Sequence, residues 1–432
     1  MYRRRNCLSS NAARRRRLVR CVLGTCLALA GTPGRADEPD VKIGGFPSID
    51  FRNLPFILIP EVGTDPNAGT TVGLMPVFLK TDEQREIRQI IAPDVIYNPY
   101  FGFGARGRIF GYPSDDTRWS VVGGADQRVE RSFGATYATG LTRQGDWSWS
   151  LQAVYDVNGT GRFFGIGNSS SLANETTYVN ETGYLAGRIG WNLNPAWQFA
   201  YSVLPRVVNI GAGVIKGVPS IQTVFPVQGQ LGTGYDFLNM VSVTFDTRDS
   251  LDIPSRGTEV VAYAGLAPGL LGGSASTSYT VMGIDGRNYW HVADNLIVAS
   301  HAAFRYMPST PDAPFWVQSS LGGDRSFLAG AQPLRAFGAG RFIDRNLFSA
   351  SIELRRKVLE LDLFSTNLNV ELAPFAEVGR VFHNMGDNPF SALHTAVGMG
   401  FRAYARPSVV GYVDVGYGSE GTAVFSGVSY PF

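Results

Sequence analysis

The 432-residue sequence lacks any apolar run of 18 or more residues, so it contains no candidate transmembrane helix. Charged residues make up only 17% of the chain, and no basic patch points to a nucleic-acid partner. The three cysteines, Cys7, Cys21 and Cys26, all lie in the first 26 residues. The rest of the chain has no cysteine, so it cannot form disulfides, thiolate zinc sites or cysteine nucleophiles. Amphipathic helices that could cover a large sheet are also missing.

Signatures of common enzymes are equally scarce. The segment 102–107 fits GxGxxG, but no helix follows it to bind a pyrophosphate. Asp246, Asp249 and Asp252 are spaced like metal ligands, although a hairpin turn explains them better. No GxSxG elbow occurs, and no HExxH or paired motif joins the four histidines, His291, His301, His383 and His394. We therefore expect no enzyme, no cofactor and no metal site.

Residues 1–36 have the layout of a secretory signal peptide. Arginines at 3–5 and 14–17 precede an apolar stretch at 18–30, and small residues lead to Ala36, after which we expect cleavage. A short anchor helix, or a lipoprotein box ending at Cys26, explains the stretch less well. Without this leader the chain is net acidic. Residues 37–54 would then form a short periplasmic segment.

What the sequence has in abundance is glycine, with 51 residues, and alternating apolar positions. From residue 394 to 432, three segments of about ten residues alternate with period 2, as strands do. Ten residues is roughly what one tilted strand needs to cross a bilayer. A water-soluble sheet could show the same pattern.

Further strands follow one another at hairpin spacing. Asp65-Pro66 and Asn98-Pro99 mark two hairpins near the start, residues 158–179 form a long loop, and 208–239 is ambiguous. Residues 309–346 form a longer connection. We predict an all-β, transmembrane antiparallel barrel over residues 55–432. The preferred count is 16 strands, within a range of 14–18.

A closed barrel in the bacterial outer membrane fits these observations better than a soluble sheet. Consecutive hairpins suit an up-and-down barrel, and closure removes the unpaired edges that lipid does not tolerate. The chain ends on Phe432, preceded by Tyr430 at an alternate position, as outer-membrane barrels do. We expect the last strand to pair near residues 55–80. Its partners would be membrane lipids and an assembly machinery that recognises Tyr430 and Phe432.

Four motifs resemble the bacterial surface antigen family, the outer-membrane insertase and translocase superfamily that includes BamA and TamA. They cover most of residues 240–432. The first is an Asp-x-Arg-Asp and Pro-x-x-Gly turn containing Asp246, Arg248, Asp249 and Gly257. The second motif begins at Leu321 and leads to Leu334-Arg335-Ala336-Phe337. The third is Phe375-Ala376-Glu377-Val378-Gly379, and the fourth is Tyr430-Pro431-Phe432. Ala336 and Glu377 stand where the family usually has Gly and Asp. Fewer than 20 residues separate Ala36 from the first strand, so the resemblance implies a barrel-only member without POTRA domains.

The resemblance implies that the loop carrying Arg335 folds into the lumen. Alternation places Glu377 on the lumen face, where a guanidinium and a carboxylate can pair bidentately, with Phe337 packed beside them. A solvated Arg335 in an extracellular loop is the alternative. Glu353 and Arg355 also face inward, so other partners are open.

The function that the resemblance implies is assistance to the insertion or passage of a protein or lipid client. A passive porin-like channel is an alternative function, and it would need an open lumen. A surface receptor or adhesin barrel, acting through exposed loops such as 158–179, is another.

Overall fold

The computed structural model describes residues 56–83, 86–229, 231–269, 278–308, 313–323, 334–363, 366–405 and 409–428. The chain forms one large antiparallel sheet that closes on itself. Within the described ranges, no helix is long and apolar enough to cross a bilayer. The short helical turns are Leu172–Asn174, Ile221–Val224, Phe315–Val317 and Met385–Asp387.

The strands follow one another in chain order around the wall, and a separate small hairpin lies in one connection. The wall strands are β1 (Ile57–Asp65), β2 (Gly69–Thr81), β3 (Ile87–Ile91), β4 (Asp94–Asn98), β5 (Gly102–Ser114), β6 (Thr117–Asp126), β7 (Arg131–Thr139), β8 (Trp147–Phe163), β9 (Thr176–Asn194), β10 (Trp197–Ala212), β11 (Gly232–Asp246), β12 (Gly257–Ala267), β13 (Tyr279–Ala293), β14 (Leu296–Tyr306), β17 (Asn346–Leu363), β18 (Thr366–Phe382), β19 (His394–Ala405), β20 (Val409–Gly418) and β21 (Gly421–Val428). The small hairpin joins β15 (Ser319–Leu321) to β16 (Phe342–Asp344).

The wall has 18 strands, because β3 and β4 are two halves of one strand. Both halves pair with β2 on one side and β5 on the other, and the break falls at Ala92-Pro93. Proline has no amide hydrogen to give to a ladder, which explains the break. The predicted closed barrel is confirmed. The preferred count of 16 was too low, although 18 lies within the predicted range.

The strand alternation separates a membrane face from a lumen face. Large apolar side chains at alternate positions are exposed outward, as along β8 with Trp147, Trp149 and Leu151. The intervening positions face the lumen and carry most of the buried charged residues. Examples are Arg206, Asp236, Asp285 and Glu353. This arrangement is typical of an outer-membrane barrel.

Connections at the two ends of the barrel differ in length. At one end lie long connections such as 164–175 and 213–231, and at the other lie turns such as 115–116 and 195–196. Because such barrels have long extracellular loops and short periplasmic turns, the first end faces outward. The predicted loop 158–179 was too long. β8 continues to Phe163 through a bulge between Asn158 and Gly161. The glycines of this segment made the strand look like a loop in the sequence. The ambiguous segment 208–239 divides into β10, a connection and β11.

Among the residues that the structure describes, the first and last strands meet in the least extensive pairing of the wall. β1 and β21 share one described residue pair, Thr64 with Val424. The expected pairing of the last strand with residues 55–80 is therefore present. By comparison, β1 and β2 pair continuously from Ile57–Val77 to Asp65–Gly69. Over its described residues, the β1–β21 contact, here called the seam, holds few of the backbone hydrogen bonds that stabilise other neighbours.

A half-buried carboxyl in an extracellular connection is expected to make barrel stability depend on pH. Burial raises the pKa of Glu130 to about 7, although the Gly159 amide donates to its carboxylate. The folded pKa thus exceeds the ordinary value of 4.5, so this stabilising contribution is complete below that value and is lost as pH rises through 7. We expect Glu130→Gln to remove up to about 3 kcal/mol of stability change between roughly pH 5 and 8. Urea unfolding in detergent micelles measures it, and equal pH slopes in both proteins would contradict it.

Candidate functional site

The β14–β17 connection folds back into the lumen and carries Arg335 at its tip. The main chain turns tightly there, with the Ala336 and Phe337 amides donating to the Leu334 carbonyl at 2.8 and 3.0 Å. Arg335 is fully buried, and Phe337 is 1% exposed. The loop residue that the motif singled out thus lies inside the barrel and not in solvent.

Three carboxylates from three wall strands surround the Arg335 guanidinium. Arg335 Nε donates to Glu377 Oε1 of β18 at 2.7 Å, and Nη1 donates to Asp414 Oδ2 of β20 at 2.8 Å. A longer contact of 3.2 Å joins Nη1 to Glu353 Oε2 of β17. Although burial opposes the charge, these carboxylates raise the pKa of Arg335 above its usual range. The tip therefore carries a permanent positive charge.

The structure brings Arg335 and Glu377 together, but in a different geometry from the expected one. Glu377 Oε2 accepts from the Arg335 backbone amide at 2.7 Å, so the second bond comes from the main chain. The prediction that the two side chains pair bidentately was therefore wrong in detail, since one of the two bonds to Glu377 comes from the Arg335 main chain. The Phe375 ring also lies 3.7 Å from the guanidinium carbon, in cation–π contact. Glu377 fixes the tip backbone as well as its charge.

A second guanidinium completes the cluster, which we call the lumen lock: Arg335, Glu353, Glu377, Arg402 and Asp414. Arg402 Nη2 of β19 donates to Glu353 Oε2 at 2.8 Å and lies 3.4 Å from Asp414 Oδ1. All five side chains are 0–1% exposed. Buried charges of this kind tolerate the loss of a partner poorly. Arg402 and Asp414 were not among the expected partners, although alternation along β19 and β20 places both on the lumen face.

Glycines on β20 allow the loop tip to approach the wall. A methyl group at Gly416 would overlap the Arg335 carbonyl carbon and oxygen, and one at Gly418 would lie 3.1 Å from the Phe337 ring. Both positions face the lumen. The tip main chain thus packs directly on wall backbone, which only glycine permits.

Aromatic contacts fasten the loop beside its tip. Phe337 packs against Phe342 of β16, with ring centroids 5.4 Å apart. Phe342 in turn stacks on His394 of β19 at 3.7 Å. Buried apolar residues of β14, β15, β17 and β18 continue this cluster, with Leu321 and Leu347 among them. Phe337 was expected beside the Arg335–Glu377 pair, and its described ring contacts are with Phe342 and His394.

The returning part of the loop bridges the two hairpins beside the seam. Asn67, in the β1–β2 turn, donates to the Ala339 carbonyl at 2.7 Å. Arg341 donates to Glu420, in the β20–β21 turn, at 2.8 Å. The Arg341 guanidinium also lies 4.3 Å from the Phe164 ring. One short segment thus binds both sides of the seam at the extracellular end.

The Asp-x-Arg-Asp turn at 247–256 is built by its own polar residues. Arg248 Nη2 donates to Asp246 at 2.9 Å and to Glu259 at 2.7 Å. Burial opposes ionisation of Asp249, yet hydrogen bonds from the Ser255 hydroxyl and amide hold its pKa below the usual range. Gly257 has φ +102°, where a side chain would be strained. Among the described residues no group of His, Cys, Asp and Glu could hold a metal ion, and these aspartates serve the turn.

This turn also folds inward across the periplasmic end of the lumen. The Pro254 carbonyl accepts from Arg355 Nη1 of β17 at 2.9 Å, and Asp252 accepts from Arg118 of β6 at 2.7 Å. Ile253 is 3% exposed and packs with Tyr404 of β19. Strands on different sides of the wall are thus tied together through one turn. No periodic signal in the sequence announces this, because the segment is irregular.

The remaining predicted residues, Tyr430 and Phe432, lie outside the described part of the chain. Recognition of the last strand by an assembly machinery stays a prediction.

A family model for the Omp85 superfamily domain matches residues 118–405, which cover the loop, the Asp-x-Arg-Asp turn and every lumen-lock residue except Asp414. The chain belongs to the Omp85 superfamily. It is an outer-membrane barrel of this superfamily, as the motif resemblance implied. No curated protein matches the sequence.

Solved structures show the same fold at low sequence identity. BamA from Haemophilus ducreyi lacking POTRA domains 1-3 is 13% identical, with a TM-score of 0.50 over 86% of this chain and 75% of that one. CdiB from Escherichia coli is 12% identical, with a TM-score of 0.52 over 86% of this chain and 67% of that one. These similarities support the barrel architecture.

Proposed function

We propose that this Omp85 barrel assists a protein or lipid client into or across the outer membrane by opening laterally at the seam. The observation that carries this proposal is the contrast between a braced lumen and a weakly paired seam. The loop tip binds β17, β18 and β20 through the lumen lock, whereas β1 and β21 share one described residue pair. A client would enter at the seam, where separating two neighbouring strands costs the least free energy.

The loop would control the seam as well as fill the lumen. Asn67 and Glu420 belong to the hairpins on opposite sides of the seam, and both bind the segment 339–341. Releasing either contact removes one tie between the loop and a seam hairpin while the tip stays bound by Arg335. The seam can therefore open from its extracellular end without unfolding the wall.

A passive porin-like channel fits the described lumen less well. The Arg335 loop occupies the lumen from one side, and the 247–256 turn crosses it at the other end through Asp252, Ile253 and Pro254. A steady pore needs a continuous aqueous path. Because the loop and the turn fill the lumen from both ends, a route for the client between two wall strands is favoured.

A disulfide across the seam tests the proposal. Paired residues of antiparallel strands have Cα atoms about 4.5–5.5 Å apart, within the range a disulfide spans. Thr64→Cys with Val424→Cys, in a chain whose native cysteines are replaced by serine, can therefore close the seam covalently. We expect the oxidised protein in liposomes to lose its acceleration of the folding of a urea-unfolded eight-stranded barrel client, scored by gel mobility, and reduction to restore it.

The matched control is Val121→Cys with Ala135→Cys, a registered pair on β6 and β7 far from the seam. This disulfide should leave client folding unchanged in both redox states. Equal client folding by the oxidised and reduced seam variant would refute lateral opening. No acceleration by the wild-type barrel would refute the insertase role for this client.

A further inference from the structure

We propose that the lateral opening described above, on which this inference rests, is the movement of one panel of the wall about a proline crease. The panel consists of the extracellular halves of β1, β2 and β4, residues 59–65, 69–74 and 94–98. The crease is a transverse line through Pro76 and Pro93, at the periplasmic border of the panel. An outward tilt of the panel about this line separates β1 from β21.

Two prolines face each other in the middle of the ladder between β2 and the split strand β3–β4. β2 pairs with β4 as far as Leu74–Val95, and with β3 from Phe78–Ile91 onward. The register is the same on both sides of this gap, so Pro76 lies opposite Pro93. Among the wall strands that the structure describes, this is the one place where a proline faces a proline.

The direction of the backbone amides indicates that the opposed prolines lack both hydrogen bonds of their pair. The Ala92 amide donates to the Arg108 carbonyl of β5 at 2.8 Å. Because successive amides along a strand point to opposite neighbours, residue 93 faces β2 and forms the hydrogen-bonded type of pair with residue 76. Such a pair normally exchanges two N–H···O bonds, and proline has no amide hydrogen. The ladder therefore has no hydrogen bond at the crease.

The same alternation removes a donor on the seam side of the β1–β2 hairpin. Since Pro76 faces β3–β4, its β1 partner Leu58 faces β21, and so does Pro60 two residues further on. Pro60 has no amide hydrogen to donate across the seam. Both prolines face away from the ladder between β1 and β2, which stays continuous. The prolines thus weaken the two outer edges of the hairpin and leave its centre intact.

The side chains at the crease offer little resistance to a bend. On the membrane face the row continues from Pro93 to Gly107 of β5 and Gly123 of β6. A methyl group added at Gly107 would meet no atom within 4 Å, so no neighbouring side chain braces β5 there. On the lumen face, Met75 and Val77 flank Pro76 and belong to a buried apolar cluster. Apolar contacts are non-directional and tolerate a small rotation.

Above the crease, polar contacts hold the panel together. Asn98 Nδ2 of β4 donates to the Ala68 carbonyl at 2.8 Å and to Thr71 Oγ1 at 2.9 Å. These bonds join the β1–β2 turn and the start of β2 to β4. The three strand halves can therefore tilt as one body.

Two described hydrogen bonds tie the panel to the rest of the barrel, and both meet at the buried Asn67. Asn67 Nδ2 donates to the Ala339 carbonyl of the lumen loop at 2.7 Å. The Asn67 carbonyl accepts from Arg162 Nη2, at the end of β8, at 2.6 Å. Asn67 thus acts as a latch at the extracellular edge of the panel, opposite the crease.

The length of the panel converts a small tilt into separation of the seam. Thr64, which pairs with Val424, lies six residues above Leu58 in the crease row. Six residues span about 20 Å, so a tilt of about 10° moves Thr64 by about 3.5 Å, enough to break a hydrogen bond. The periplasmic halves of the same strands need not move.

Double electron–electron resonance in liposomes tests the panel directly. Nitroxide labels are placed on cysteines introduced at Thr70, above the crease, or at Phe78, below it, each paired with Val397 on β19. All three positions are exposed on the membrane face, and the native cysteines are replaced by serine. We expect two distances, one shorter and one longer, between positions 70 and 397. A single distance is expected between positions 78 and 397.

Three variants connect the longer distance to the crease and the latch. Pro76→Val with Pro93→Val restores both donors and should lower the longer 70–397 population roughly fivefold. Asn67→Ala, which removes the bond to Ala339, should raise that population. Pro205→Val is the matched control, because it replaces an exposed strand proline of β10 remote from the crease, and it should leave both label pairs unchanged.

A single 70–397 distance in both wild type and Asn67→Ala would overturn the panel. Joint lengthening of both label pairs would mean that β1 and β2 leave the wall over their whole length, and would overturn the crease but not lateral opening. Equal populations in wild type and the double proline variant would overturn the role of the two prolines. Since no client is present, a moving panel in a barrel that accelerates no client folding would refute the insertase role alone.

Discussion

Replacing Arg335 with alanine is expected to lower the free energy of unfolding by about 3–5 kcal/mol, since it leaves buried carboxylates without their partner. Arg402, which pairs with Glu353 and Asp414, would then be the one cation left among the five lock residues. Repulsion between the carboxylates should also displace the loop tip. Gel mobility after heating, or urea unfolding in micelles, measures the loss.

Arg356→Ala provides the control for this experiment. Arg356 lies next to the lumen-facing Arg355 on β17 but is exposed on the outer side of the wall. Removing an exposed guanidinium should change stability by less than about 1 kcal/mol. A similar small change in Arg335→Ala would mean that the lumen lock contributes nothing to the folded barrel.

The second large effect is expected at Gly416, where the loop tip touches the wall. A side chain there would overlap the Arg335 carbonyl group, and this neighbour is main chain that cannot rotate away. Gly416→Leu should therefore expel the tip without substituting any charged residue of the lumen lock. We expect the loop to become cleavable by added protease and stability to fall by about 2–4 kcal/mol, through overpacking and lost lock contacts.

Gly411→Leu is the matched substitution on the same strand. A methyl group at Gly411 approaches only the Ala403 carbonyl, at 4.0 Å. That variant should keep a protease-resistant loop and near-wild-type stability. If Gly416→Leu behaved in the same way, the close approach between loop tip and β20 would be wrong.

Much of the wall was predictable because a strand in lipid must alternate. Period 2 placed Glu353, Arg355 and Glu377 on the lumen face, where each is buried. Asp65-Pro66 and Asn98-Pro99 fixed two hairpins through turn chemistry. The Arg335 loop became visible only through its resemblance to family motifs, because nothing in its spacing indicates a fold into the lumen.

The rest of the site depends on contacts that no local pattern encodes. Whether Asp414 or another lumen carboxylate reaches Arg335 depends on register around the closed wall. The inward fold of Ile253 depends on where Tyr404 lies, about 150 residues later. Glycines in the extension of β8 weakened the strand signal, which is why the 158–179 segment was read as loop.

Planar-bilayer conductance of wild type and Arg335→Ala tests the central claim most directly, namely that the Arg335 loop plugs and braces the lumen. The lumen lock predicts almost no steady current from wild type and frequent, larger openings from Arg335→Ala. Large, steady and ion-selective current from wild type, unchanged in Arg335→Ala, would contradict it.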